Sequence, residues 1–396
     1  TGTLTVSSPV KNAVIRVNGR VVGYGAATVR VDAESTVKID VKAKDFQDYH
    51  SELSLDAGET RIHDVALVRT KLMDRIAWSS QLGSGVRGDL LFYNGMIIAS
   101  GADGSIVCMD RSGSAVWRAS LQGGLDSTPA VSNGKLFAVT KKDKLFAINA
   151  ASGKELWRAD LEGSLVFGAA PLVADNSVLV ASSSGKVYSF SFDGKQNWMT
   201  DLQSGIYATP TRNGDVIYVG ADDHKIYALR LKKGSVEWTA KLDSRVVSSA
   251  PVVYDGKIYI GTYNGTLYCL KDSKGSVEWS MKTGGPILAA PVCFRNRVYV
   301  GSKDAKLYAV NASSGSVVWS VPTGQPVSAE VAILGKELYS AAGRTVSSID
   351  IDSGRVNWSY ELEGNASTLI ADGSGVFVGV GGRLVSLRTE LKDVVK

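Results

Sequence analysis

Short apolar runs separated by turn residues fill most of the chain. In the segment 249–279, three such runs are divided by Asp255-Gly256 and Asn264-Gly265, and a fourth run ends at Trp279. Asp-Gly and Asn-Gly supply the positive φ angles of tight hairpin turns, so the pattern predicts four antiparallel strands in one segment. The runs are almost continuously apolar, which indicates strands that are buried on both faces.

The tryptophans repeat with the same period as these four-strand units. All eight tryptophans of the 396-residue chain are spaced 39 to 41 residues apart, which indicates one repeated structural unit. Four antiparallel strands in a unit of this length are typical of a propeller blade. The eight repeated tryptophans are Trp78, Trp117, Trp157, Trp198, Trp238, Trp279, Trp319 and Trp358.

The spacing of glycines predicts how the array closes. Glycine lies four residues before seven of the tryptophans, but Asp74 holds that place before Trp78. We therefore expect the Trp78 strand to lack a preceding hairpin and to join three C-terminal strands in 368–388. The predicted fold is all-β: a small β-sandwich over residues 1–69, then an eight-bladed β-propeller over 70–396. Joining both ends in one blade would leave no open edge.

The repeats themselves carry a family resemblance. The segments YALRLKKGSVEW, YCLKDSKGSVEW and YAVNASSGSVVW, which end at Trp238, Trp279 and Trp319, resemble the quinoprotein-type (PQQ-like) propeller repeat. The resemblance covers about residues 72–390 and implies that each outer-strand tryptophan docks between adjacent blades. The Gly-His and Trp-Asp signature of WD40 propellers is absent from the sequence.

The N-terminal segment before the repeats resembles a different family. Ser8-Pro9, Ala13, Asn18-Gly19, Gly23 and the stretch 44–46 (Lys-Asp-Phe) resemble a PEGA domain, a small β-sandwich of bacterial and archaeal envelope proteins. The stretch 10–12 departs from the Glu-Gly that this family favours. The resemblance implies an extracytoplasmic location, in the periplasm or at the cell surface. Residues 69–74 are expected to be a short linker.

Composition excludes several classes of function. The net charge is +5, but the basic residues are interspersed with acidic ones, which argues against a nucleic-acid partner. No apolar run reaches the length of about 18 to 20 residues that a membrane span requires. The chain opens at Thr1 without an initiator Met or signal-peptide pattern, so we expect any signal or anchor to lie outside these residues.

A quinone cofactor is the first chemistry that the propeller resemblance suggests. In that family the cofactor lies near the axis, commonly against a disulfide of adjacent cysteines and beside a calcium ion. Here Cys108, Cys269 and Cys293 are not adjacent. Cys108 and Cys269 occupy a third-strand position that is Ala or Ser in the other repeats, which predicts small buried side chains.

Other catalytic signatures are also missing from the sequence. His50, His63 and His224 have no zinc-ligand spacing, and no GxSxG, phosphate-loop or HExxH motif occurs. We therefore predict no catalytic residues, no cofactor, no metal and no enzymatic activity.

The residues eight or nine positions after each tryptophan form the candidate site. There the outer strand of one blade should cross to the innermost strand of the next, at one rim of a central channel. These apolar residues either cap the core or form a funnel that binds a partner. They are Val86, Leu125, Val166, Ile206, Val246, Ile287, Val327 and Ala366, flanked by Arg87, Phe167, Tyr207, Val247 and Leu288. The candidate binding rim drawn from this set is Arg87, Leu125, Phe167, Ile206, Tyr207, Val247, Ile287, Leu288 and Val327.

The sequence favours a non-catalytic binding module of the cell envelope, whose partner is another envelope protein, a peptide segment or a small molecule. One form is the ectodomain of a membrane-anchored protein similar to receptor Ser/Thr kinases. The alternative is a scaffold similar to the lipoprotein propeller of outer-membrane assembly. A PQQ-dependent oxidoreductase and a glycan-binding surface-layer protein are the remaining hypotheses, because a propeller hosts unrelated activities.

Overall fold

The chain divides into two compact units, Thr1–Met73 and Asp74–Lys396. The computed structural model describes residues 1–8, 11–43, 48–65, 75–125, 127–162, 169–246 and 249–389. These residues form strands and turns, and none of them belongs to a helix. The described part of the chain accordingly holds no helix with the length and apolar character to cross a membrane.

The first unit is one continuous sheet that folds over a common core. Its strands are β1 Gly2–Ser7, β2 Val14–Val17, β3 Arg20–Tyr24, β4 Ala26–Val31, β5 Val37–Lys42, β6 Tyr49–Leu53 and β7 Thr60–Asp64. They pair in the order β6-β5-β2-β3-β4-β1-β7. Leu4 of β1 packs with Ile15 and Ile39 from the other half of the sheet, so the two halves face each other across the core. Of the residues that suggested a PEGA domain, Pro9 and the stretch 44–46 lie outside the described residues.

The second unit contains, among its described residues, eight four-stranded antiparallel sheets, numbered 1 to 8 in chain order. Sheets 1 to 4 consist of β9 Val86–Tyr93, β10 Met96–Gly101, β11 Ser105–Met109 and β12 Ala115–Ser120; β13 Ala130–Ser132, β14 Lys135–Thr140, β15 Lys144–Asn149 and β16 Glu155–Asp160; β17 Leu172–Ala174, β18 Ser177–Ala181, β19 Lys186–Ser191 and β20 Gln196–Asp201; and β21 Thr211–Asn213, β22 Val216–Gly220, β23 Lys225–Arg230 and β24 Val236–Lys241. Sheets 5 to 8 consist of β25 Val252–Tyr254, β26 Lys257–Gly261, β27 Thr266–Lys271 and β28 Val277–Lys282; β29 Val292–Phe294, β30 Arg297–Ser302, β31 Lys306–Asn311 and β32 Val317–Pro322; β33 Ala332–Leu334, β34 Glu337–Ala342, β35 Thr345–Asp350 and β36 Val356–Glu361; and β37 Ala366–Asp372, β38 Gly375–Val380 and β39 Arg383–Leu387 with β8 Ile76–Gln81.

The turns and burial patterns follow from the sequence pattern. Asp255 and Gly256 have φ angles of 52° and 68°, as a type I′ hairpin turn requires. The two middle strands of each sheet are almost completely buried, as in β26 and β27, because neighbouring sheets cover both of their faces. The fourth strands alternate between exposed and half-buried side chains because they are outer edges.

Sheet 8 is assembled from both ends of the second unit. Strand β8 pairs antiparallel with β39, and Trp78 lies opposite Ser386. The same register places Trp279 opposite Cys269 and Trp238 opposite Ala228. The third-strand position is therefore small in every sheet because the tryptophan of the neighbouring strand lies beside it. Both Cys108 and Cys269 are buried at this position.

The first seven tryptophans of the chain also contact the next sheet. The indole Nε1 of Trp78 donates to the carbonyl oxygen of Arg111 at 2.7 Å, and that of Trp279 donates to Ala312 at 3.0 Å. A methyl group at Gly113 would lie 2.5 Å from Cε3 of Trp78. Equivalent close approaches occur at Gly153, Gly194, Gly234, Gly275, Gly315 and Gly354. The glycine before each tryptophan is thus required twice, by its positive φ and by the tryptophan of the preceding sheet.

Trp358 is packed differently because no hairpin joins β39 to β8. The Arg75 guanidinium lies 3.8 Å from the centre of the Trp358 ring. Arg75 also donates from Nη1 to the carbonyl oxygens of Arg388 at 3.1 Å and Thr389 at 3.3 Å. The Arg75 guanidinium therefore packs against Trp358 where a hairpin glycine packs against each of the other tryptophans.

Candidate binding site in the central cavity

The crossings between successive sheets surround one cavity of about 870 Å³. We call it the central cavity. It is lined at one level by Arg87, Tyr207 and Leu288 and, two residues further along the chain, by Asp89, Thr209 and Ala290; Thr128, Ala170 and Glu330 also line it. Two residues of strand advance by about 6 to 7 Å, so the lining forms two successive levels.

The structure divides the candidate binding rim into two groups. Leu125, Ile206, Ile287 and Val327 are at most 1% exposed, so they cap the core and offer no surface to a partner. For these four residues the burial agrees with capping of the core, one of the two alternatives that the sequence left open. The flanking residues Arg87, Tyr207 and Leu288 line the cavity instead, because alternate residues of an extended segment point to opposite sides. Val86 is buried but also touches the cavity.

The predicted rim residues Phe167 and Val247, and the neighbouring Val166, lie outside the described residues. Val246 is buried like the other core caps, and Ala366 is half-buried. Binding at Arg87, Tyr207 and Leu288 stays a prediction.

The second level of the cavity comes from a position that repeats in all eight sheets. In sheets 2 to 6 this inner-ring position directly precedes the opening proline; in sheets 1 and 8 the equivalent residue lies within the first strand, and in sheet 7 it lies two residues before β33. Its residues are Asp89, Thr128, Ala170, Thr209, Ala250, Ala290, Glu330 and Thr368. Neighbouring members contact each other: the Thr209 hydroxyl accepts a hydrogen bond from the backbone N–H of Ala170 at 3.0 Å. Six of the eight are Ala or Thr, and the two acidic members are the exceptions.

The acidic members, Asp89 and Glu330, are the site residues that the sequence prediction missed. Their signal was present: the sheets that lack an opening proline include RGDLLF around Asp89 and SAEVAI around Glu330. A comparison of the inner-ring position across the repeats would have shown two carboxyl groups among small residues.

Burial raises the pKa of both groups, and the charge of Asp89 adds to the effect on Glu330. Burial raises the pKa of Asp89, and hydrogen bonds from the Thr368 and Thr128 hydroxyls, at 3.2 Å and 3.3 Å, act in the opposite direction. Burial and the nearby charge of Asp89 raise the pKa of Glu330 to about 7.

Basic and aromatic side chains lie around the same cavity. Arg245 lines it, and its guanidinium lies 4.3 Å from the centre of the half-exposed Tyr263 ring and 3.7 Å from Oδ1 of Asp222. Lys141 also reaches the cavity. The lining thus combines cations, hydroxyls and apolar surface, which suits recognition of a polypeptide or an amphiphilic ligand.

The residues present do not fit a quinone and calcium centre. Within the described ranges, no three His, Cys, Asp or Glu side chains converge to hold a metal ion. The tryptophans that could cover a quinone pack between sheets instead, as with Trp78 and Phe377, whose ring centres are 5.8 Å apart. We derive no reaction step through such a cofactor.

Comparison with known proteins places this geometry in a family. The family described as "Outer membrane protein assembly factor BamB" matches residues 102–280, 231–304 and 280–390, and the PEGA domain family matches residues 1–71. The outer membrane protein assembly factor BamB of Shewanella oneidensis is 26% identical over 214 residues, covering 47% of this chain and 53% of the relative. The matched region therefore spans about half the length of that relative.

Two further proteins are similar to this chain, one in sequence and one in structure. The tetrathionate hydrolase of Acidithiobacillus ferrooxidans is 28% identical over 192 residues, covering 41% of this chain and 38% of the relative. The crystal structure of BamB from Moraxella catarrhalis superposes with a TM-score of 0.69 at 17% identity, covering 79% of this chain and 99% of that one, and shows the β-propeller fold. The chain belongs to the PQQ-like β-propeller family of outer membrane protein assembly factor BamB and carries an N-terminal PEGA domain.

Proposed function

We propose that this protein is a non-catalytic scaffold of the cell envelope that binds another envelope polypeptide during outer-membrane protein assembly. The observation that carries the proposal is the family match, which extends over residues 102–390. The proposal places the protein outside the cytoplasm, because its relatives are named as assembly factors for outer membrane proteins. It favours the scaffold alternative over a receptor-kinase ectodomain.

The eight four-stranded sheets serve in this proposal as the eight blades of one closed propeller, residues 70–396, which follows a PEGA-like β-sandwich of residues 1–69 in the sequence. The pairing of β8 with β39 supports this assembly, because it leaves sheet 8 with the same four strands as every other sheet. A closed ring is rigid, so residues on its crossings hold fixed positions for a partner.

The level of the central cavity lined by Arg87, Tyr207 and Leu288 is the proposed contact surface. Leu288 and Tyr207 supply apolar and aromatic area, and the exposed Arg87 supplies charge. Tyr and Arg are enriched at the energetically important positions of protein interfaces. Because all three residues line the same level of the central cavity, they support an insertion site for a partner segment.

Site-specific photocrosslinking tests the proposal in the bacterium that encodes the protein. A photoreactive benzoylphenylalanine replaces Tyr207, and the control replaces Met199, which is exposed on β20 and distant from the cavity lining. We expect crosslinks from position 207, but not 199, to an outer-membrane β-barrel protein or a component of its assembly machinery. Crosslinks that are the same from both positions, or that connect position 207 only to proteins without such a role, would contradict the proposal.

The double variant Tyr207→Ser with Leu288→Ser supplies an independent measurement. We expect the folded variant to fail to restore normal levels of outer-membrane β-barrel proteins in a strain lacking the wild-type protein. Full restoration by a stably expressed double variant would rule out this part of the central cavity as the contact surface.

The other hypotheses have separate tests. A kinase domain and membrane span encoded upstream of Thr1 would favour a receptor-like ectodomain. An absorbance titration with quinone and calcium tests oxidoreductase activity, and a glycan-array measurement tests surface-layer binding. The similarity to a tetrathionate hydrolase makes hydrolysis of that relative's named substrate a useful activity control.

A further inference from the structure

The inner ring contains two titratable groups that the proposed scaffold function does not use. Asp89 and Glu330 line the central cavity from sheets 1 and 7. Thr368, from sheet 8, lies between them in ring order and is within 3.2 Å of Asp89 Oδ1. At the equivalent positions the other sheets place uncharged Ala or Thr, so packing of the ring does not require a carboxyl group.

The two carboxyl groups differ in their hydrogen bonding. Asp89 is held by the hydroxyls of Thr128 and Thr368. Its backbone N–H also donates to the Thr128 hydroxyl, which fixes the segment. For Glu330 the two influences are burial and the negative charge of Asp89, and both raise its pKa and favour its neutral form.

Other charged groups lie around the cavity. Among the described residues, Arg87, Lys141, Asp222 and Arg245 also line it. Arg245 is engaged by Tyr263 and Asp222, and Lys303, from the turn after β30, contacts the Ser328 hydroxyl at 2.6 Å. Burial raises the pKa of both Asp89 and Glu330, and the charge of Asp89 raises that of Glu330 further.

We propose that Asp89 and Glu330 form a proton-binding site of the central cavity, in which the pair shares a single proton at neutral pH. Ionising both groups would place two negative charges in a cavity with reduced solvation, and retaining one proton avoids that repulsion. Loss of the shared proton makes the cavity one charge more negative. A cationic group that enters the cavity is therefore held more strongly as pH rises, and an anionic group less strongly. This inference goes beyond the scaffold proposal and stands whether or not that proposal is correct.

Carboxyl NMR titration of the full chain tests the shared proton. Glutamate side chains are labelled with ¹³C at Cδ, and the Glu330 signal is assigned as the one missing from Glu330→Gln. We expect this signal to titrate with a midpoint near 7. The signal of the exposed Glu155, assigned through Glu155→Gln, is recorded in the same titration for comparison.

Asp89→Thr then separates sharing from simple burial, because threonine is the natural residue at inner-ring positions 128 and 209. We expect the Glu330 midpoint to fall by about one pH unit in this variant. Asp89→Asn gives the same comparison if the threonine variant does not fold, and Glu155→Gln should leave the midpoint unchanged. A Glu330 midpoint below 5, or a raised midpoint unaffected by either change at Asp89, would overturn the proposal.

Discussion

Gly113→Ala is the sharpest test of how the sheets are locked together. Gly113 lies in the hairpin before β12 with a φ angle of +85°, and Trp78 packs directly against it. An alanine methyl at this position would lie 2.5 Å from Cε3, 2.8 Å from Cδ2 and 2.9 Å from Cζ3 of Trp78. These distances are well inside van der Waals contact, so the indole or the hairpin has to move.

Two separate terms determine the loss in the free energy of unfolding. A side chain in the left-handed region costs about 1 to 2 kcal/mol. Displacing a packed aromatic ring adds about 1 to 3 kcal/mol, as overpacking of a core does. Gly134→Ala is the matched control, because Gly134 has a φ angle of +73° in a hairpin turn and no atom within 4 Å of the added methyl. We therefore expect Gly113→Ala to be less stable than Gly134→Ala by about 1 to 3 kcal/mol.

Tryptophan fluorescence during urea unfolding is the suitable measurement, because all eight tryptophans lie in the second unit. Trp78→Leu in both backgrounds completes a double-mutant cycle, and removing the indole should reduce the effect of Gly113→Ala to that of the control. Equal losses for Gly113→Ala and Gly134→Ala, within about 0.5 kcal/mol, would refute the steric account.

The remaining predictions concern charge and the repeat itself. Because the pKa of Glu330 is raised from 4.5 to about 7, its contribution to stability is present below pH 4.5 and lost as pH rises towards 7 and above, by at most about 3 kcal/mol. Urea unfolding at pH 5 and pH 8 should show this loss in wild type but not in Glu330→Gln, and an equal loss in both would exclude Glu330 as its source. Arg75→Ala should lower stability by about 0.5 to 2 kcal/mol, because the cation over Trp358 is removed. Unchanged stability, measured with Lys154→Ala as a control on an exposed turn, would contradict a packing role for Arg75. Cys269→Ala should change stability by about 1 kcal/mol or less, whereas Cys269→Leu should lower it by about 1 to 3 kcal/mol against Trp279; thermal melts that rank the two variants the other way would exclude a size limit at this position.

The sequence predicted strands and turns well because their signals are local. Asp255-Gly256 requires a tight turn wherever it lies between strands, and a tryptophan repeated every 40 residues requires a repeated environment. The pairing of β8 with β39 also followed from one local irregularity, the missing glycine before Trp78. The second role of these glycines was not predictable from one repeat, because the tryptophan that each contacts belongs to the preceding sheet.

The cavity lining was harder to predict because it lies on segments of variable length. The interval from tryptophan to the inner-ring position is 11 residues from Trp78 to Asp89, but 13 from Trp157 to Ala170 and 10 from Trp358 to Thr368. An extended segment reverses the side on which its side chains point at every residue, so a difference of one residue exchanges core and cavity. The rim prediction also combined the eighth and ninth residues after each tryptophan, which point to opposite sides, so it included buried residues such as Leu125 beside cavity residues such as Tyr207.

The sheets that differ most from the repeat pattern are sheets 7, 8 and 1, where the two ends of the array meet. An opening proline is present in sheets 2 to 6 and absent from sheets 7, 8 and 1, and Glu330, Thr368 and Asp89 occupy the inner ring in those three sheets. Arg111 of sheet 1 pairs with Asp372 of sheet 8 at 2.8 Å and lies 4.2 Å from the centre of the Phe92 ring. In sheets 1 to 7 the chain links all four strands in order, whereas in sheet 8 strand β8 is held to β39 by noncovalent pairing. Because Asp89 of sheet 1 and Glu330 of sheet 7 lie in the two sheets next to sheet 8, their deprotonation places extra charge beside the one sheet whose strands are not linked in sequence. A loss of stability at alkaline pH should therefore begin in sheet 8, at the pairing of β8 with β39.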